Sequence, residues 1–393
     1  MRAVTDQLVP SLPSHPAEVI DDLQIEQAAE RLLRQAPYHG RAAIRSIAGI
    51  PPAGPASFCV CVPLRNEEAL LPGMLGALDR ACNRVSESGV AVFVANDTTD
   101  GSIGLLRSWA RTSALAVVIV DLTLDPAIRG APFARHLALE LGALMVPNGR
   151  LFTTDADTQV DRDWLAANLR LLDQGADMVC GKVDLNKSDL AVLPTRVHEC
   201  GRLEDDYAEA TGQLWRLWTG SDCQAPALQA LGASLAIRTE CYRAVGGLPT
   251  PHSGEDKALA RLALAHGFAV VSSDEARVVT SGRTEGRTQG GVSAALRERA
   301  TTDNPPLDED LVPVAVLRRR AALWNQLAEG VERTMIFQRA CQTDPGLHTP
   351  RMCRRDVERE IAVARHHLAL LVKQAPGTRL MADVCPAAQC ASD

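Results

Sequence analysis

Two aspartates one residue apart follow a short apolar segment near the middle of the 393-residue chain. Residues 150–161 read RLFTTDADTQVD, which places Asp155 and Asp157 directly after the apolar and threonine residues. Alternate side chains of an extended segment share a face, so both carboxylates are expected to point the same way. Two like charges this close repel each other, and a divalent cation is the simplest partner that neutralises both. Carboxylate oxygens suit Mg²⁺ or Mn²⁺, so the pattern predicts a cation site.

A solvated turn is the alternative interpretation of this motif. Asp157 or Thr158 would then cap a helix that starts near Asp161, because Asp and Thr side chains accept hydrogen bonds from the first backbone N–H groups of a helix. Motifs this short are common by chance, so the elements around them have to decide between the two interpretations.

Buried strands and intervening helices are predicted ahead of the aspartates. Short continuous apolar runs, each followed by a helical pattern, indicate strands at 57–63, 90–95 and 115–120. Asn66 is expected to cap the first helix. Strands and helices that alternate in this way predict a right-handed parallel α/β sheet, whose ligands bind at the carboxyl ends of the strands. Polar clusters follow three of the predicted strands, at 65–67, 96–100 and 155–157.

The composition is that of an ordinary globular protein, with 46% hydrophobic and 23% charged residues. A net charge of −7 argues against a nucleic-acid partner, which would normally require a basic face. The eleven cysteines have no C-x-x-C spacing and are expected to be reduced thiols, which favours a cytoplasmic location. No secretory signal is expected, because the N-terminus has no basic segment leading into an apolar stretch. No membrane-spanning helix is expected, because no apolar run approaches about 18 residues.

Helical segments are predicted on both sides of the α/β region. Residues 1–15 are expected to form an arm and 16–35 an amphipathic helix, since apolar residues recur there at roughly helical spacing. Beyond residue 306 the pattern is again helical, and this extension is expected to pack on the α/β part or on a second copy of the chain. The predicted divisions are an arm and helix at 1–56, an α/β domain at 57–300, and a helical extension at 301–393 that can support a homodimer.

Six motifs follow one another between residues 57 and 285: VPLRNEE, NDTTDGS, RGAPFARHLALELGA, TDADTQV, LGASLAIRTECYRAVGGLP and SGEDKALARLALAHG. In content and order, this set resembles the family 2 glycosyltransferases with a GT-A fold. The resemblance implies a Rossmann-like, mostly parallel sheet flanked by helices. It also implies transfer of a sugar from a nucleotide-diphosphate sugar, with UDP or GDP as the nucleotide.

The resemblance assigns donor contacts to the loops after the strands. It implies that the base and ribose are held by Pro63, Arg65, Glu67, Asn96 and Asp100. The family more often has two aspartates at the start of the second loop, where this chain has Ala95 and Asn96. Arg135 matches the segment beneath the donor and is expected either to meet a phosphate or to lie on a solvated helix face.

The resemblance also assigns the chemistry to the two acidic pairs. Asp155 and Asp157 match the motif whose carboxylates hold Mn²⁺ or Mg²⁺ against the diphosphate. Asp155 is also expected to contact the donor. Asp256 matches the position of the general base of an inverting transfer, with Glu255 as its neighbour or substitute. A structural alternative is that both acids stabilise the start of the helix that follows them.

Other family features narrow the predicted reaction. Arg283 and Arg287, in the glycine-containing stretch at 280–291, are expected either to grip the diphosphate or to belong to an exposed linker. The Q-x-x-R-W motif and spanning helices of processive synthases are missing, which favours transfer of one sugar to a soluble or small acceptor. Two other functions compete with sugar transfer. One is nucleotidyl transfer, but nucleotidyltransferases normally carry a glycine-rich basic loop after the first strand, and VPLRNEE lacks the glycines. The other is that of a catalytically silent protein of the same fold that binds a nucleotide or a protein partner. The intact acidic pairs argue against the silent member.

Overall fold

Nine strands form one sheet in the part of the chain that the computed structural model describes, which comprises residues 22–50, 54–221, 230–250, 254–286, 291–330 and 332–374. The strands are β1 (Ala42–Ile50), β2 (Phe58–Leu64), β3 (Gly89–Asn96), β4 (Ala116–Leu124), β5 (Arg150–Thr153), β6 (Thr158–Val160), β7 (Met178–Leu185), β8 (Leu235–Arg238) and β9 (Val270–Thr280). The predicted N-terminal arm and Arg287 lie outside the described residues.

The sheet has the strand order β1-β4-β3-β2-β5-β8-β7-β9-β6. The neighbours β4, β3, β2 and β5 run parallel, so their carboxyl ends meet at one edge. β8 joins antiparallel to β5 and to β7, while β1 pairs antiparallel with β4. The predicted α/β fold with flanking helices is confirmed.

Strand β2 shows why the apolar runs fold as internal strands. All seven of its residues are buried, and alternate residues enter two different cores. Cys59 and Cys61 face the core on one side of the sheet, and Phe58, Val60 and Val62 face the core on the other side. A strand that is covered on both faces needs apolar residues at every position, which is the pattern of a central parallel strand.

The described residues also contain thirteen α-helices. They are α1 (Asp22–Leu33), α2 (Leu71–Cys82), α3 (Ser102–Ala110), α4 (Ala131–Met145), α5 (Trp164–Asp173), α6 (Lys187–Ala191), α7 (Thr195–Thr219), α8 (Thr239–Ala244), α9 (Glu255–Ala265), α10 (Gly291–Thr301), α11 (Val314–Gln326), α12 (Glu332–Thr343) and α13 (Arg354–Gln374). Pro72 and Pro132 lie in the first turns of α2 and α4, where a backbone N–H would have no helical partner. None of these described helices combines the length and the apolar character needed to cross a bilayer.

Two compact units make up the chain. The first contains the sheet and comprises the described residues within Met1–His198, Leu228–Asp303 and Ala328–Thr343; the second comprises those within Glu199–Ala227, Asn304–Leu327 and Asp344–Asp393. In the second unit, Trp215 packs against Trp324 with ring centroids 5.9 Å apart, and the Tyr207 hydroxyl donates to the Val312 carbonyl at 2.7 Å. The domain boundaries predicted from the sequence remain predictions.

The helix that follows β2 begins later than the sequence indicates. α2 starts at Leu71, so the expectation that Asn66 caps it is wrong. Asn66 adopts a left-handed backbone conformation (φ 51°), and its side-chain oxygen accepts a hydrogen bond from the Thr99 backbone N–H at 2.7 Å. Asn tolerates this conformation better than most residues, and here it ties the β2–α2 loop to the β3–α3 loop.

Close packing of α4 on β2 leads to a stability prediction. A methyl group at Gly142 would lie 2.8 Å from the Cys61 sulfur and 2.9 Å from the Cys59 sulfur. We therefore expect Gly142→Ala to lower the free energy of unfolding by about 1 to 3 kcal/mol through overpacking. Urea denaturation measures this change, with Gly104→Ala as the control. That exposed α3 position has nothing within 4 Å of an added methyl group, so a gain of about 0.5 to 1 kcal/mol is expected there. A Gly142→Ala variant as stable as the wild type would contradict the packing.

Candidate active site

A cavity of about 220 Å³ opens at the carboxyl ends of β2, β3 and β5. Nine of the ten residues that the sequence singles out line it: Pro63, Arg65, Glu67, Asn96, Arg135, Asp155, Asp157, Glu255 and Asp256. They come from five separate segments, and Glu67 and Asp256 are almost two hundred positions apart in the sequence. The chain thus brings both acidic pairs to one cavity.

Asp155 and Asp157 lie in the turn between β5 and β6 rather than on a strand. The side chain of Asp155 is 31% exposed and that of Asp157 is 16% exposed. Thr158 begins β6, and the next helix starts only at Trp164, so the helix-capping alternative for this motif is wrong. The two carboxylates face the cavity instead, as the cation-site interpretation requires.

Arg135 is a buried connection between the two acidic pairs. Its Nη2 donates to Asp155 at 2.8 Å and its Nε donates to Glu255 at 3.1 Å. Its Nη1 donates to the Thr153 hydroxyl at 2.9 Å and to the Gly232 carbonyl at 2.8 Å. The side chain is only 5% exposed, so the expectation of a solvated helix face is wrong. The predicted contact with a phosphate remains a prediction.

The charge of Arg135 suits its surroundings. Burial alone would lower the pKa of its guanidinium, but Asp155, Glu255 and Asp256 together raise that pKa above its ordinary value. The group therefore stays protonated, and it compensates in part for the carboxylates packed around it. An unpaired charge at this depth would be strongly unfavourable.

Glu255 and Asp256 open α9 but differ in their surroundings. Glu255 is 5% exposed, and its pKa is raised because burial outweighs the favourable charge of Arg135. Asp256 is half-buried, and its two oxygens accept hydrogen bonds of 2.7 Å from the backbone N–H groups of Gly232 and Lys257. Glu255 is thus held by an arginine, whereas Asp256 is oriented by backbone amides at the cavity wall.

Asp157 lies in a region of excess negative charge. Burial raises its pKa to about 6, and the neighbouring Asp155 charge acts in the same direction. Arg283 opposes this shift, since its Nη2 lies 3.0 Å from an Asp157 oxygen. A second cation near Asp157 would be favourable on charge grounds, and the hard oxygen ligands fit Mn²⁺ or Mg²⁺. Within the described ranges, no three or more His, Cys, Asp and Glu side chains are grouped as a preformed metal site.

The predicted donor-binding loops are tied to each other by their own side chains. Asp100 accepts hydrogen bonds of 3.0 Å from the backbone N–H groups of Glu68 and Ser102, and Glu68 in turn accepts from the Gly101 N–H. Asp100 does not belong to the cavity lining, so its structural place is the connection between the loops. Its predicted contact with the donor stays a prediction.

Asn96, at the end of β3, lines the cavity and contains a buried acceptor without a hydrogen-bond partner among the described residues. The residue is 2% exposed, and its side-chain N–H donates to the Leu64 carbonyl at 3.3 Å. Its Oδ1 has no hydrogen-bond partner among the described residues. A buried acceptor of this kind is satisfied when a ligand brings an N–H or O–H donor.

Sequence reasoning gave no individual role to several residues of the site. The side chain of Arg135 passes so close to the backbone at Gly232 that only glycine fits there: a methyl group would lie 2.5 Å from the central guanidinium carbon. Thr153 supplies a hydrogen bond to the same arginine. Gly291, Val292 and Ser293 at the start of α10 also line the cavity. No local pattern distinguishes these residues from ordinary strand and loop residues.

The raised pKa of Asp157 gives stability a pH dependence. The folded chain binds this proton more tightly than the unfolded chain, whose pKa lies near 3.8. The resulting stability is present at acidic pH and is lost as the pH rises through about 6. In metal-free buffer, we therefore expect the stability of Asp157→Asn relative to wild type to grow by about 1 kcal/mol between pH 5 and pH 7.5. Urea unfolding of both proteins at each pH measures this difference in the free energy of unfolding. Asp184→Asn controls for loss of an ion pair, here with Arg277. An Asp157→Asn difference that does not change with pH would contradict the account.

Comparisons with known proteins find partial sequence similarity to sugar transferases. No protein-family model matches the chain. The undecaprenyl-phosphate 4-deoxy-4-formamido-L-arabinose transferase of Aeromonas hydrophila is 28% identical over 130 residues, or 33% of this chain and 37% of the relative. The enzyme of the same name from Pseudomonas paraeruginosa is 30% identical over 132 residues, or 34% of this chain and 37% of the relative. The chain is thus family 2 glycosyltransferase-like, with distant sequence similarity to these transferases over about a third of its length.

The chain therefore matches somewhat more than a third of the length of these curated relatives. Among solved structures, the mannosyltransferase PcManGT from Pyrobaculum calidifontis, in complex with GDP-Man and Mn²⁺, is similar with a TM-score of 0.43 and 19% identity. The match covers 88% of this chain and 82% of that protein. The similarity to these transferases rests on sequence, and the roles of individual residues in this chain remain predictions.

Proposed function

We propose that this protein transfers one sugar from a nucleoside diphosphate sugar to a hydroxyl group of a small acceptor, with inversion at the anomeric carbon. The observation that carries the proposal is the convergence of two acidic pairs on one cavity at the carboxyl ends of parallel strands. Asp155 and Asp157 supply oxygen ligands on one side, and Glu255 and Asp256 supply carboxylates on the other. A binding scaffold has no need for a second acidic pair.

The first acidic pair fits a divalent cation. Asp155 is oriented by a hydrogen bond from Arg135. Burial and the neighbouring negative charges of Asp155 and Glu67 raise the pKa of Asp157. These two aspartates would hold Mn²⁺ or Mg²⁺. When bound, the cation would act as a Lewis acid that stabilises the negative charge on the departing nucleoside diphosphate.

Asp256 is the better candidate for the general base. Its oxygens are fixed by two backbone N–H groups and it is only half-buried, whereas Glu255 is buried against Arg135. In the proposed step, Asp256 takes the proton of the acceptor hydroxyl while that oxygen forms a bond to the anomeric carbon. The bond from the same carbon to the phosphate oxygen breaks, and the nucleoside diphosphate leaves with that electron pair.

The nucleotide is proposed to enter between the β2 and β3 loops. Asn96 Oδ1 can accept from an imide N–H, such as N3–H of uracil or N1–H of guanine, because its own amide group already donates to Leu64. Adenine and cytosine present an acceptor at the equivalent position and would leave Asn96 unsatisfied. Pro63, Arg65 and Glu67 line the same region, which supports a UDP- or GDP-sugar as donor.

The acceptor is proposed to be a small hydroxyl compound, and a polyprenyl phosphate is the competing choice. The relatives carry undecaprenyl phosphate in their names, but they match this chain over only about a third of its length. The predicted cytoplasmic location and the predicted dimer through the helical extension remain predictions. The eight cysteines in the described residues are free thiols, which agrees with the predicted cytoplasmic location.

Release of nucleoside diphosphate tests this proposal. A panel of UDP- and GDP-sugars, each with Mn²⁺, is incubated with the protein and either a mixture of sugars and small hydroxyl compounds or undecaprenyl phosphate in detergent. Product release that requires Mn²⁺ and one of the hydroxyl acceptors supports the proposal. Release only with undecaprenyl phosphate would replace the acceptor, and no release from any donor would contradict sugar transfer.

A further inference from the structure

Arg283 bridges the two sides of the cavity before any donor is bound. Its Nη1 donates to one Glu67 oxygen at 2.8 Å, and its Nη2 donates to the other at 2.5 Å. The same Nη2 lies 3.0 Å from an Asp157 oxygen. One guanidinium is therefore shared by a residue from the β2–α2 loop and by one of the two proposed cation ligands.

The bridge neutralises carboxylates that are largely removed from water. The side chains of Glu67 and Asp157 are 9% and 16% exposed, and that of Arg283 is 25% exposed. The Arg283 Nε is buried and has no hydrogen-bond partner among the described residues. The arginine thus compensates for both acids while one of its own donors remains unused.

A divalent cation on Asp157 would compete directly with this guanidinium. Both are positive and both need the same carboxylate, so each weakens the binding of the other. The diphosphate of a donor supplies new oxygens, and a guanidinium binds such oxygens with two parallel hydrogen bonds. The unused Nε–H provides a further donor for that contact.

The chain around Arg283 allows such an exchange without movement of the sheet. The segment before it is held by Asp189, which accepts hydrogen bonds from the Gly282 N–H at 2.8 Å and the Ser281 hydroxyl at 3.3 Å. The arginine itself extends from this fixed point on a flexible side chain. A change of rotamer is therefore enough to move the guanidinium away from Asp157.

We propose that Arg283 is an exchangeable counter-charge at the cation site. It neutralises Asp157 and Glu67 while no cation is present, and it transfers to the diphosphate when the cation takes its place on Asp157. This inference rests on the proposed function. It adds that Arg283 opposes binding of the cation alone and supports binding of the cation together with a nucleoside diphosphate.

Two affinities of Arg283→Met test the exchange, because they are expected to change in opposite directions. The first is the affinity for Mn²⁺ without nucleotide, measured from the free Mn²⁺ signal in electron paramagnetic resonance. We expect on the order of fivefold tighter binding, since a partly exposed ion pair no longer competes. The second is the affinity for UDP or GDP at saturating Mn²⁺, measured by calorimetry. We expect on the order of tenfold weaker binding, since charged hydrogen bonds to the diphosphate are lost.

Arg277→Met is the matched control. Arg277 lies on β9, six residues before Arg283, and pairs with Asp184 outside the cavity lining. Both affinities should be unchanged in this variant. Arg283→Lys is a second test if the methionine variant folds poorly: it keeps the charge, so Mn²⁺ alone should bind as to wild type, but it loses the paired hydrogen bonds and should bind the nucleotide more weakly.

The outcomes separate this inference from the proposed function. Unchanged Mn²⁺ affinity in Arg283→Met, with metal-dependent nucleotide binding intact in the wild type, would overturn the exchange and leave the function standing. Weaker Mn²⁺ binding in the variant would overturn it as well, because Arg283 would then assist the cation. A wild type that binds no nucleoside diphosphate with Mn²⁺ would overturn both proposals.

Discussion

Asp256→Asn is expected to slow sugar transfer by a factor on the order of 10² to 10⁴, the contribution typical of a positioned general base. Asparagine has the shape of aspartate and still offers one acceptor to the N–H groups of Gly232 and Lys257, which hold Asp256 at 2.7 Å. It cannot take the proton of the acceptor hydroxyl. The rate of nucleoside diphosphate release at saturating donor and acceptor measures the loss.

The affinity for nucleotide and Mn²⁺ separates a lost base from a damaged site. Asp256 has no proposed contact with the diphosphate, so calorimetry should give an affinity within about twofold of wild type, which is under ~0.5 kcal/mol. Asp163→Asn is the matched control, because that aspartate is partly exposed, pairs with Arg84 and lies outside the cavity lining. Full activity in Asp256→Asn would remove Asp256 from the mechanism and leave Glu255 as the candidate.

Arg135→Met is expected to lower the free energy of unfolding by about 3 to 5 kcal/mol, the cost of leaving a buried ion-pair partner uncompensated. The guanidinium makes four hydrogen bonds, and two of its acceptors are the carboxylates of Asp155 and Glu255. Methionine fills part of the space but pairs with neither acid. Urea denaturation at pH 7 without metal measures the change.

Two further variants show whether the loss comes from the charge. Arg84→Met breaks an exposed pair with Asp163 and should cost at most about 1 kcal/mol. Adding Glu255→Gln to Arg135→Met removes one unpaired carboxylate, so the double variant should recover part of the stability. A loss of under about 1 kcal/mol in Arg135→Met would show that the buried connection is not structural.

The sequence predicts the central strands well because their pattern follows directly from burial. β2 and β3 are apolar at nearly every position, which only a strand covered on both faces requires. β1 has no such signal: it is a half-exposed antiparallel strand of the sequence AAIRSIAGI, in which four of the nine residues are Ala or Gly, types that are depleted in strands. Its formation depends on pairing with β4, whose paired residues lie 67 to 82 positions further along the chain.

The site is predictable as a set of residue types but not as a network. The acids are recognisable because their spacing and order resemble those of a known family. The Arg135–Glu255 pair joins residues 120 positions apart, and the Arg283–Glu67 pair joins residues 216 positions apart, so no local pattern contains either. Asn66 fails as a helix cap for the same reason, since a distant loop supplies the N–H group that it binds.

Calorimetry of UDP and GDP, each with and without Mn²⁺, tests most directly whether this cavity is a cation-dependent nucleotide-sugar site. We predict that one of the two nucleotides binds wild type only with Mn²⁺, and that Asp157→Asn abolishes this binding while the variant remains folded. Binding that is independent of Mn²⁺, or equal in wild type and Asp157→Asn, would contradict the cation site. The absence of binding by either nucleotide would contradict the proposed function itself.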